Sequence, residues 1–134
     1  MQFSRVLLCA VALWGFAPAA FAEDCADQSQ NGLNACADAA YKKADDALNA
    51  AYKEAIRRLK GDAAITKLFV QAQKSWLTYR DAECTFANAE NAGGSIYPMV
   101  YAGCLRRLTM VRTNDLRGYL KCGEGDMGCP VPGQ

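Results

Sequence analysis

The chain is 134 residues long, enough for one domain, with 15 basic and 14 acidic residues and no histidine. Missing histidine excludes Ser-His-Asp and Cys-His catalysis and most zinc and copper sites. The near-zero net charge argues against nucleic acid, which needs a basic footprint.

The first element is not part of the fold. Met1 to Arg5 is a short positive segment, Val6 to Ala17 is apolar, Pro18 ends the run, and Ala20-Phe21-Ala22 is a small-x-small cleavage site. This predicts a secretory signal peptide over residues 1–22. The apolar run is shorter than the roughly 20 residues a membrane span needs, and no later segment is apolar enough to cross. Removing the leader takes away Arg5 and Cys9, which leaves balanced charge and six cysteines: Cys25, Cys36, Cys84, Cys104, Cys122 and Cys129. An exported chain with an even cysteine count predicts disulfides rather than metal thiolates, and a periplasmic or secreted location.

Three helices follow. In the first, from about Asn34 to Lys60, Ala37, Tyr41, Ala44, Leu48, Ala51, Ala55 and Leu59 recur at helical steps. Asn34 is a candidate cap, and Lys60-Gly61 reads as a last turn with a glycine stop. Asp62 then caps a second helix, with Ile65, Phe69, Ala72, Trp76 and Tyr79 as its apolar stripe and Leu68 alongside; it ends near Asn88 to Asn91. The short link makes these two helices antiparallel neighbours. The third starts near Pro98 and ends about Lys121, with Tyr101, Leu105, Leu108, Leu116 and Tyr119 on one face and Arg112 breaking it. The tail, residues 122–134, is too rich in glycine for a helix. The prediction is an all-α, three-helix, disulfide-stapled domain over residues 23–121, with a tail closed by a disulfide.

Locality favours the pairs Cys25–Cys36, Cys84–Cys104 and Cys122–Cys129. The middle pair is the firmest, since both cysteines flank one connection; Cys122 has an alternative partner on another helix. Asp81 and Glu83 invite a two-carboxylate reading, but two residues apart on a helix they point in different directions. Asp45, Asn49, Arg80 and Arg112 fall on or beside apolar stripes, which predicts a polar network in which Arg80 or Arg112 pairs with Asp45 or Asn49. The connection from Asn88 to Tyr97, followed by Arg106 and Arg107, is a candidate recognition element, because tyrosine and arginine are enriched where proteins bind one another. No cofactor or metal motif stands in the sequence, and oligomeric state is not legible in it.

Ala44-Asp45, Leu48-Asn49 and Tyr52 resemble the first-helix signature of the LprI-like lysozyme-inhibitor family. Trp76-Leu77-x-Tyr79-Arg80-Asp81-x-Glu83-Cys84 resembles its second, and Gly94-Ser95, Cys104-Leu105 and Thr109-x-x-Arg112-Thr113-x-x-Leu116 its third. The resemblance covers about Cys25 to Tyr119 and leaves the tail as an addition. It implies a small exported helical binding protein, not an enzyme, with lysozyme as the partner. Lysozyme's cleft holds two carboxylates beside the scissile bond. Ser95, Tyr97, Arg106 and Arg107 are the candidates to meet them. The alternative is a periplasmic structural or envelope-stress protein that binds peptidoglycan or another protein without inhibiting anything.

Overall fold

The structure is a computed structural model that describes residues 25–123 and 125–133. The predicted leader, 1–22, lies outside the described residues. Helix α1 spans Gln30–Leu59, α2 Ala63–Ala87 and α3 Tyr97–Leu120, with a single 3₁₀ turn, Ala89–Asn91, between α2 and α3. There is no strand among the described residues.

Helix α1 begins a turn earlier than its apolar stripe suggests. Its N-cap is Ser29, not Asn34: the Ser29 hydroxyl accepts from the Gly32 N–H at 3.1 Å. Asn34 is already inside the helix. At α2, Asp62 is the cap, accepting from Ile65 N–H at 3.0 Å. At the far end of α2 the buried Asn88 donates its side-chain amide to Cys84 O at 2.8 Å, which satisfies a carbonyl the helix leaves open.

The order is up, down, up. Asn34 Nδ2 donates to Ser95 O at 3.1 Å at one end of the bundle, and Arg58 Nη1 donates to Leu120 O at 2.9 Å at the other. Helices α1 and α3 therefore run parallel, and their backbones form the closest pair. Buried Ala40, Ala44, Ala51, Ala55 and Ala102 allow that approach. Helix α2 packs on this pair through large side chains that hold its backbone farther off. Phe69 and Trp76 pack against a core of Leu48, Ala51 and Leu116, and the Phe69 ring stacks on Tyr52 at 5.2 Å. Fully burying a leucine such as Leu48 or Leu116 stabilises the fold by roughly 1.5–3 kcal/mol.

The innermost face of α2 differs from the predicted stripe. Tyr79 is 53% exposed and Leu68 65% exposed, and Ala72 is exposed as well. The buried positions are Gln73, Arg80 and Cys84. The rotation has a physical cause: Cys84 is bonded to Cys104 on α3, so the residues sharing its helical face, Arg80 one turn back and Gln73 three turns back, must also face inward. Helix α3 likewise buries Thr109 and Thr113 between Leu105 and Leu116.

Three disulfides staple the domain: Cys25–Cys36, Cys84–Cys104 and Cys122–Cys129, with Cα separations of 5.9, 5.6 and 5.6 Å. The tail does more than close on itself. Val131 is 1% exposed and packs with Ala55 and Leu59 of α1, and Ile65, Phe69, Tyr119 and Leu120 close around it. It plugs the end of the bundle where the α1–α2 link leaves the core open.

Candidate functional site

Arg80 is the centre of the polar interior. It is 7% exposed. Its Nη1 donates to Asp45 Oδ1 on α1 and to Thr109 Oγ1 on α3, each at 3.5 Å, and its Nε donates to Asp81 Oδ1 at 2.9 Å. The guanidinium carbon lies 5.3 Å from the Trp76 ring centre and 5.6 Å from that of Tyr41, so cation–π attraction adds to the charge contacts. Asn49 Nδ2 donates to Asp45 Oδ2 at 2.9 Å and holds the carboxylate. Arg112 does not reach Asp45; its Nε donates to Gln73 Oε1 at 3.1 Å, and its guanidinium also lies over Trp76, at 6.0 Å. Burial raises the Tyr41 phenol above its usual range, with the Arg80 charge offsetting part of that rise. Among the described residues no buried side-chain nitrogen or oxygen lacks a hydrogen-bond partner. The network joins all three helices and is fully engaged within the fold.

The Asp81 carboxylate is committed to Arg80, with Nη2 also 2.9 Å away. Cys122, Asp126 and Cys129 lie close enough together to suggest metal ligands, but the two sulfurs are bonded to each other. A disulfide sulfur is not a thiolate, so the trio does not form a metal site in this state.

The connection between α2 and α3 is tied at several points. The Cys84–Cys104 disulfide brackets it. Within it, the N–H groups of Asn91, Gly94 and Tyr97 donate to Asn88 O, Asn91 O and Gly94 O in successive turns at 3.0–3.1 Å. Gly93 takes a φ of 78°, a conformation that favours glycine. Ser95 is exposed, and its carbonyl is tied to Asn34 of α1. Tyr97 opens α3 and stacks on Tyr101, with ring centres 5.5 Å apart. The two tyrosines line a groove of about 410 Å³ together with Asn34, Asp38, Tyr41 and Leu105.

Arg106 belongs to a different surface. It lies nine residues beyond Tyr97, and at roughly 100° per residue that turns it to the opposite side of α3. There it lines a shallow groove between α1 and α3 with Lys43, Ala47, Met110 and Arg117. Exposed Arg107 borders a neighbouring depression with Gly103 and Val111. Ser95 and Tyr97 are thus together at the loop end, and Arg106 and Arg107 lie along other faces of α3.

What fold and site define is a small all-α, disulfide-stapled domain with a polar interior hydrogen-bonded across its three helices and a loop bracketed by a disulfide. The family profile described as "Lysozyme inhibitor LprI" matches residues 22–116, and the chain belongs to that family. The match takes in α1, α2 and most of α3 and stops short of the tail. The chain is also similar to an uncharacterized protein of Rhizobium meliloti (strain 1021), at 36% identity over 107 residues, covering 72% of this chain and 77% of that protein. No solved structure matches it. The family is one of inhibitors rather than catalysts, and no helix among the described residues is long and apolar enough to cross a membrane.

Proposed function

We propose that this chain is an exported inhibitor of a lysozyme-type muramidase, working in the periplasm or outside the cell, and that it binds through the disulfide-braced end of the bundle. The observation that carries this reading is the family match across all three helices. The mechanism follows from rigidity. A loop held by a disulfide, a hydrogen bond to α1 and a tyrosine pair loses little conformational freedom on binding, so more of its contact energy appears as affinity. The Ser95 and Tyr97 hydroxyls are donors suited to the two carboxylates of a glycosidase cleft. Arg106 and Arg107, set on other faces of α3, contribute positive charge that guides the approach rather than a second anchor at the loop.

A lysozyme clearing assay with the purified, oxidised chain tests this. Inhibition by the intact chain is expected, weakened without a change in melting temperature by Ser95→Ala and by Tyr97→Phe, which removes the hydroxyl and keeps the stack on Tyr101. No inhibition at a micromolar excess overturns the reading and favours a non-inhibitory envelope protein. Inhibition that is indifferent to both substitutions retains the activity and removes the loop as its contact.

A further inference from the structure

Helix α2 carries a second apolar seam that the bundle does not use. Leu68 is 65% exposed, Tyr79 53% and Phe86 78%. With Ala72, Ser75 and Ala82, all exposed, they fall on one line along the helix. The steps from Leu68 to Phe86 are four, three, four, three and four residues. That is the spacing of a coiled-coil seam, sustained over about 27 Å of helix. Exposed apolar stripes of this extent mark association surfaces rather than ordinary solvent-facing helix.

We infer that this seam is where two copies of the chain pair, with their α2 helices antiparallel. Two observations select a second copy as the occupant. The first is the set of side chains that meet when the seam is laid antiparallel against itself. A two-fold axis level with position 77 sets Leu68 against the partner's Phe86, Ala72 against the partner's Ala82, and Ser75 against the partner's Tyr79. A patch that is its own complement under a two-fold is the requirement for an isologous contact. The alanine layers allow close backbone approach, and each tyrosine lies over a serine rather than another large ring.

The second is charge. None of the six seam residues is charged, and Lys67, Lys74 and Asp81 project roughly a third of a turn away from it. Glu83 flanks the seam, but antiparallel pairing sets its two copies about 18 Å apart along the helices. Beyond Glu83, a strongly charged partner would find little on this face to match. Two aromatic rings and a leucine from each chain, already partly covered in the bundle, bury at most about 1,000 Å² in total, below the range of stable specific interfaces and within that of weak, transient ones. The pairing is therefore reversible and depends on concentration. Leu68 and Ala72 also line a pocket with Pro130 and Val131, so one end of the seam adjoins the tail.

Analytical ultracentrifugation of the purified, oxidised chain over a concentration series tests the inference. A monomer–dimer equilibrium is expected. Leu68→Lys alone and Phe86→Glu alone should each weaken it about tenfold or more with an unchanged melting temperature. Both substitutions in one chain should restore dimerisation, because antiparallel pairing brings the new cation against the partner's new anion; parallel pairing would oppose like charges. A chain monomeric throughout, a dimer indifferent to the single substitutions, or a double variant no better than the singles overturns the proposal. So does a monomer that loses lysozyme binding on Leu68→Lys, which would give the seam to another protein.

Discussion

Arg80 of α2 reaches Asp45 of α1 at 3.5 Å, and Asp45 in turn is held by Asn49 one turn along its own helix at 2.9 Å. The pair is unequal. The Arg80 side chain is 8% exposed and that of Asp45 34%, so the carboxylate retains water while the guanidinium depends on the protein. Two aromatic faces, a threonine hydroxyl and a neighbouring carboxylate complete the surroundings of Arg80. The interaction locks α2 in rotation about its axis.

Arg80→Ala should therefore destabilise the domain by about 2–3 kcal/mol, below the usual loss for a fully buried pair because Asp45 can be solvated. For a domain of this size that lowers the melting temperature by roughly 10 °C. Arg80→Met keeps the contacts with Tyr41 and Trp76 and should lose less. Arg80→Lys should not rescue, since an ammonium cannot stack on two rings while donating to three oxygens. Thermal denaturation followed by circular dichroism reads all three; an unchanged Arg80→Ala melt refutes the structural role.

Removing the central disulfide by Cys84→Ala with Cys104→Ala should cost about 3 kcal/mol, as expected for closure of a loop of this length. The fully buried Cys84 makes alanine a better replacement than serine, which would bring an extra polar group inside. The loop should loosen as well. Hydrogen exchange at Asn91, Gly94 and Tyr97, whose N–H groups are bonded within it, should accelerate more than exchange in the middle of α1. Equal acceleration in both places would mean that the disulfide supports the whole bundle and not the loop in particular.

Much of the fold is legible in the residues, and the exceptions have one origin. Asp62 announces α2 because an aspartate directly before a helical pattern has a single good use. Ser29 is silent because the first two turns or so of α1, Gln30 to Cys36, carry little apolar bulk to signal a helix. The inward face of α2 is misread when hydrophobicity alone is counted: Leu68 and Tyr79 look like core and Gln73 like surface. The cysteine carried the correction, since Cys84 sets the inner face once it is paired with α3. Val131 is not legible by pattern at all, because a single buried residue in an irregular tail has no period. As for the candidate site, the braced loop can be read from its flanking cysteines. The separation of Arg106 from Tyr97 follows from helical phase once α3 is known to start at Tyr97.

Val131 offers a test of the tail as part of the fold. Val131→Ala removes two buried methyl groups and should cost about 1–2 kcal/mol. Val131→Asp should cost more, since it brings a carboxylate into a cluster of Leu59, Ile65, Phe69 and Tyr119. Urea titration measures both. If Val131→Asp leaves the midpoint unmoved, the tail does not plug the bundle in solution.

The acid response has a specific origin at the C-terminal end of α1. Glu54 accepts from Arg57 at 2.6 and 2.7 Å and from Arg58 at 2.8 Å, and these hydrogen bonds hold its carboxyl down to about 2 from an ordinary value of 4.5. Arg58 also caps the carbonyl of Leu120, so the cluster links the ends of α1 and α3. The folded state therefore favours the ionised carboxylate more than the unfolded chain does. That preference contributes fully above the unfolded value of 4.5 and is lost as pH falls through the folded value of about 2. The expected result is a stability gap between the native chain and Glu54→Gln that is constant near neutrality and closes as pH falls from about 4.5 toward 2. Because Arg57 is exposed and Glu54 only partly buried, added salt should narrow the gap somewhat at neutral pH. A gap that persists unchanged at pH 2 would show that the glutamate acts through packing or helix propensity, not through its charge.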